Sequence, residues 1–201
     1  ENLIEAADII KNGGLVAIPT ETVYGLAADG LNKKAIRKIF EAKNRPMDNP
    51  LILHISRIDE IHRLIKEIDK KHLEILSKLW PGPLTVILKK SEIIPDEISA
   101  GLDTVAIRMP RLDITRAFIY LCGTPLAAPS ANLSTKPSPT NAQDVFEDMD
   151  GRIDAIIDGG ASDIGIESTV LDLSQDIPKI LRPGFYTKEY LEQYFEKIEI
   201  D

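Results

Sequence analysis

Cysteine is almost missing from this chain. A single thiol, Cys122, among 201 residues excludes an internal disulfide framework and any zinc site built from several cysteines. Between Leu121 and Gly123, at the end of a helical pattern, it reads as a small buried hydrophobe, and its solitude suits a reducing, cytoplasmic setting. Histidine is also scarce. His54, His62 and His72 make no H-E-x-x-H or related metal spacing, and the last two fall on polar helix faces. No apolar run reaches the ~18 residues that a membrane-spanning helix needs. The first residues, Glu1-Asn2-Leu3-Ile4-Glu5, lack the basic start and apolar core of a secretory signal. Neither G-x-x-x-x-G-K-[ST], G-x-G-x-x-G nor G-x-S-x-G occurs, which removes the P-loop, the Rossmann fingerprint and the nucleophile elbow. An excess of positive charge is lacking too. The net charge is −8, which argues against bulk electrostatic binding of nucleic acid. It leaves room for a local basic cleft that takes a small anion.

What is present is the composition of one ordinary globular domain over residues 1–201, with 43% hydrophobic and 28% charged residues. Short apolar runs alternate with amphipathic segments, which predicts an α/β architecture. Strands are expected at 15–18, 51–55, 84–88, 105–109, 126–128, 153–157, 169–173 and 179–181. Helices are expected after Asn32, after a Ser56/Asp59 capping pair, over Leu73–Leu79, after Asp113 as cap, after a Thr140/Gln143 capping box, and from Thr187 through Tyr194.

Polar residues gather after the strand ends, where α/β sites form. Thr20-Glu21-Thr22-Val23-Tyr24-Gly25 places two hydroxyls, a carboxylate and a phenol behind one apolar strand. Lys43 and Arg45, with Asn49 and His54 following, set two cations on one turn. Such a pair can grip a polyphosphate, or can simply neutralise a helix C-terminus. Arg108 stands inside the apolar run Val105–Met109. If buried it needs an anion, and a ligand carboxylate or phosphate would serve. Ser130-Ala131-Asn132, Glu167-Ser168-Thr169 and Arg182-Pro183-Gly184 complete the set.

With these residues assembled, the sequence resembles the YrdC/Sua5 family over nearly its whole length. The shared segments are PTETVYGL at 19–26, K-x-R at Lys43 and Arg45, WPGPLT at 80–85, IRMP at 107–110, S-x-N at Ser130 and Asn132, ESTV at 167–170 and RPG at 182–184. The resemblance implies a twisted mixed sheet with flanking helices around a large central cavity. It also implies a threonylcarbamoyl-AMP synthase, an ATP-dependent nucleotidyltransferase that joins L-threonine, bicarbonate or CO2, and ATP and releases pyrophosphate. By the same resemblance Thr22, His54, Arg108, Ala128 and Ser168 would hold threonine. Lys43, Arg45, Asn49, Thr104, Ser130, Asn132, Ser138 and Arg182 would serve ATP, with Lys43 and Arg45 supplying charge to the reacting phosphate. Mg2+ would arrive with the triphosphate, and no residue is assigned as its ligand. A Kae1/TsaD-type partner would take the product to adenosine 37 of tRNA, and any contact of this chain with tRNA itself would be weak. Sua5-type members carry a second C-terminal domain, whereas this chain resembles a single-domain member. Two other readings stand beside this one. A double-stranded RNA-binding module predicts a steep salt dependence, which the net charge opposes. A YrdC-like paralogue of other carbamoyl or nucleotide activity is the second; such domains also occur in hydrogenase-maturation proteins, within larger chains that carry zinc-finger and acylphosphatase parts that this sequence lacks.

Overall fold

A computed structural model describes residues 2–201. Ten short strands form one mixed sheet: β1 Val16–Ile18, β2 Gly25–Asp29, β3 Ile52–His54, β4 Leu84–Lys89, β5 Thr104–Arg108, β6 Leu126–Ala127, β7 Ala155–Ile156, β8 Thr169–Asp172, β9 Lys179–Arg182 and β10 Glu199–Ile200. Their order across the sheet is β10-β9-β8-β4-β5-β3-β6-β2-β1-β7. The helices are α1 Asn2–Lys11, α2 Lys33–Lys43, α3 Lys70–Leu79, α4 Asp96–Ser99, α5 Asp113–Cys122, α6 Ala142–Met149 and α7 Lys188–Leu191. A 3-10 helix covers Ile58–Arg63.

The apolar runs are continuous because parts of the sheet are buried on both faces. Side chains alternate between the faces with period two. Ala17, Leu26 and Ala28 enter the main core, with Ile36, Ile39 and Phe40 of α2 and Leu76 and Leu79 of α3. Val16, Ile18, Ala27 and Leu126 enter a second core on the other face, beneath α1 and α5. Phe118 of α5 is fully buried there, a burial that contributes about 1.5–3 kcal/mol. Cys122 lies in the same core at 5% exposure, as the sequence leads one to expect.

Helix ends explain how the chain is aimed. Asn32 caps α2 by accepting from the Ala35 N–H at 3.2 Å. Asn44 then takes the left-handed conformation (φ 51°), and the Arg45 N–H closes on the Phe40 carbonyl at 2.9 Å. This stop buries Lys43 and carries Arg45 away from the helix.

Several expected details are corrected. The segment after Ser56 is a 3-10 helix, and Glu60 rather than Asp59 makes its cap: its carboxylate accepts from the Arg57 N–H and the Ser56 hydroxyl. Asn141 rather than Thr140 caps α6, accepting from the Asp144 N–H at 2.8 Å. Asp113 is the first helical residue of α5, not its cap; it pairs with Arg116 one turn on. Thr187 does cap α7, but that helix stops at Leu191, before Tyr194. The sequence reading left out α1, α4, β2 and β10. The stripe of α1 is partly alanine (Ala6, Ala7, Ile10), and β2 is Gly-Leu-Ala-Ala-Asp, so neither carries a strong local signal.

Candidate functional site

The cleft lies where strand ends converge. In the parallel pair β3–β5, His54 stands opposite Arg108, so both side chains reach the same rim. In the antiparallel pair β4–β5, Thr85 also faces Arg108. The parallel pair β4–β8 sets Thr85 against Val170 and so brings Ser168 alongside. The Thr85 and Ser168 hydroxyls are 2.8 Å apart. Arg182 at the end of β9 pairs with Val170. From the other side, the Leu26 N–H bonds the Pro129 carbonyl at 2.7 Å, and Gly25 bridges Ser130. A side chain at position 25 would put its Cβ 3.1 Å from that of Ala128, so glycine permits the close approach.

The resulting cleft has a volume of about 180 Å³. Thr22, Val23, Arg45, Pro50–Ile52, His54, Arg108, Ala128–Ser130, Glu167, Ser168 and Arg182 line it. All five residues expected at a threonine pocket are here: Thr22, His54, Arg108, Ala128 and Ser168. Of those expected at ATP, Arg45, Ser130 and Arg182 line the same cleft. The others do not. Lys43 lies under the floor, 2% exposed, its ammonium donating to the carbonyls of Ser130 and Asn132, the latter at 2.8 Å. Asn132 is buried with it and donates from Nδ2 to the Leu133 and Lys136 carbonyls, both at 2.8 Å. Ser138 donates to Glu167 at 2.9 Å at the edge. Asn49 is exposed on the loop that precedes β3. Thr104 opens β5 at the end remote from Arg108, opposite Lys89. Four strand steps separate the Cα atoms of Thr104 and Arg108 by about 13 Å.

Arg108 answers its burial from within the chain. It is 4% exposed. Nη2 pairs with Glu21, Nη1 donates to the Thr22 hydroxyl at 2.8 Å, and Nε donates to the Gly82 carbonyl at 3.3 Å. The anion that the sequence reading sought in a ligand is therefore present as Glu21, itself 0% exposed. Two of the guanidinium's five N–H groups find no partner among the described residues. Burial draws Arg108 below its ordinary value while Glu21 opposes the shift, and the group remains a cation.

The other groups are tuned by burial. His54 is driven down to about 3, first by desolvation and then by Arg108, so its imidazole is neutral at working pH. Its Nδ1 lies 3.2 Å from the Ile52 carbonyl. Desolvation, then Arg45, pulls the Lys43 ammonium down to about 8. Arg182 donates from Nε and Nη2 to the Ser168 carbonyl at 3.1 and 2.9 Å and pairs through Nη1 with Glu167. Three arginines, Arg45, Arg108 and Arg182, thus line the cleft together with one carboxylate, Glu167, with which Arg182 pairs. An acidic chain holds a cationic cleft, suited to a small anion. Glu21, Thr85 and Glu167 were not assigned roles from sequence. The requirement that a buried arginine have an anion was the signal that could have found Glu21.

The family model Sua5/YciO/YrdC, described as telomere recombination, matches residues 8–184. A threonylcarbamoyl-AMP synthase of Pyrococcus abyssi is 52% identical over 97% of this chain, and one of Bacillus subtilis is 49% identical over 99%. The chain spans 57% and 58% of the length of these two relatives. The crystal structure of Pyrococcus abyssi Sua5 complexed with L-threonine is 51% identical. It superposes with a TM-score of 0.97, covering 99% of this chain and 58% of that one. By the extent of the family match and the identity to these relatives, the chain belongs to the Sua5/YciO/YrdC family.

Proposed function

We propose that this chain forms threonylcarbamoyl-AMP and pyrophosphate from L-threonine, bicarbonate or CO2, and ATP, in a cytoplasmic route to a threonylcarbamoylated adenosine in tRNA. The observation that carries the reading is the pairing of two kinds of site in one cleft. One end holds the neutral His54, Ala128 and the two spare N–H groups of the Arg108 cation. A cationic end holds Arg45, Ser130 and Arg182. The first suits an amino acid, its carboxylate on the guanidinium. The second suits a triphosphate. That a relative at 51% identity has been crystallised in complex with L-threonine supports the amino-acid part of the reading.

In this scheme the amine of threonine adds to CO2 and loses a proton, giving a carbamate. A carbamate oxygen then attacks the α-phosphorus, and the bond to pyrophosphate breaks. The protein's tasks are positioning and charge stabilisation. Arg45 and Arg182 face the phosphates, and Lys43 shapes and charges the Ser130–Asn132 loop from beneath. Asn49, Thr104, Asn132 and Ser138 complete the nucleotide end in this proposal.

For Mg2+ the chain offers little of its own. Among the described residues no three acidic, histidine or cysteine side chains gather to hold an ion, and Glu167 is the lone carboxylate of the cleft wall. The ion is therefore assigned to the triphosphate's oxygens and retained waters. A Kae1/TsaD-type transferase is the proposed consumer of the product.

The test is pyrophosphate release from ATP. Release that requires both L-threonine and bicarbonate, with little from L-serine, and a product of the mass of threonylcarbamoyl-AMP, is expected. Release that ignores threonine would overturn the reading.

A further inference from the structure

Glu21 does not line the cleft, yet it is paired with Arg108, which does. Its side chain is fully buried. One carboxylate oxygen pairs with Arg108 Nη2; the other accepts the Arg111 backbone N–H at 2.9 Å. Its own carbonyl accepts the Ile164 N–H at 2.9 Å, in the loop that leads to Glu167. Arg108 is thereby held by three acceptors from two segments: Glu21 and the Thr22 hydroxyl on one, and the Gly82 carbonyl on the other. Only Glu21 is charged, and a charge-assisted bond is about twice as strong as a neutral one.

We infer that Glu21 is a positioning residue for amino-acid binding: it fixes the fork of Arg108 so that the two remaining N–H groups meet an incoming carboxylate. This rests on the proposed function above. A guanidinium without Glu21 would be a buried cation with only neutral partners, a costly state that the side chain relieves by turning toward another anion or toward water. Either turn removes the fork from the carboxylate. The nucleotide end is not reached. The Glu21 side chain makes no hydrogen bond to Arg45, Ser130, Ser138 or Arg182. Its link to the Ile164 loop runs through the backbone, which a side-chain substitution leaves in place.

The experiment compares wild type with Glu21→Gln and Glu21→Asp. L-Threonine binding is measured by titration calorimetry without ATP, and KM is measured separately for threonine and ATP. In Glu21→Gln, threonine affinity should fall at least about tenfold, the loss of one charge-assisted anchor, with the ATP KM within about twofold of wild type. Glu21→Asp keeps the charge but draws the carboxylate back by one methylene, and should fall between the two. It carries the test alone if Glu21→Gln does not fold. Threonine affinity equal to wild type in both folded variants, or a parallel loss of threonine and ATP affinity, would overturn the inference. Wild type that binds no threonine would instead sink the proposed function.

Discussion

His54 shows how burial sets both a protonation state and a stability profile. The fold drives its pKa to about 3, whereas a solvated histidine titrates near 6.5. Between those values the unfolded chain binds a proton that the folded chain refuses. Stability from this residue is therefore complete above about pH 6.5 and falls as the pH drops toward 3, by roughly 1 kcal/mol per unit once the unfolded form is protonated. Denaturant unfolding of wild type and His54→Asn at neutral and mildly acid pH checks this. The wild-type midpoint should fall between pH 6.5 and 5, and the variant should lose less over the same interval. With Nδ1 set against the Ile52 carbonyl, a neutral ring that carries its proton there leaves Nε2 unprotonated.

Among the elements, α2 does the most to aim the nucleotide end, since its last turn carries Lys43 and its stop releases Arg45. Asn32→Ala removes its cap and should cost about 1 kcal/mol. For a chain of this size that lowers Tm by about 2–4 °C, readable by circular dichroism. This helix was legible because local chemistry and tertiary packing agree: a capping side chain and a 3.6-residue apolar stripe fall in order. β2 was not legible. Its Gly-Leu-Ala-Ala-Asp sequence becomes a strand only because β1 and β6 flank it, which no local window contains. The caps of α6 and the 3-10 helix were misplaced by one residue because neighbouring polar groups compete for the same N–H donors. For the site, residue identity located the cleft's lining but not its depth. Lys43 and Arg45 look equivalent in sequence, and a single left-handed residue between them sends one under the floor and the other to the wall. Likewise Arg108 was seen to need an anion, but the 87-residue separation from Glu21 hid which one.

At the scale of the whole molecule, the cleft draws on strands from across the chain. The ends of β3, β5, β6 and β9 and the starts of β2 and β8 meet there, and parallel pairs β3–β5 and β4–β8 require long crossovers. Such non-local pairing makes for slow assembly, and the site exists only once the sheet is complete. The sheet also separates two apolar layers, and the smaller one contains the chain's only sulfur nucleophile. Burial pushes that thiol up to about 12, so at neutral pH it is protonated and shielded. Cys122 is therefore a built-in clock for the layer beneath α1 and α5. Iodoacetamide should label it only through openings of that layer, so labelling should be slow in buffer and accelerate as urea populates the open form. One chemical tag at one position would then report the opening of that layer with no engineered probe.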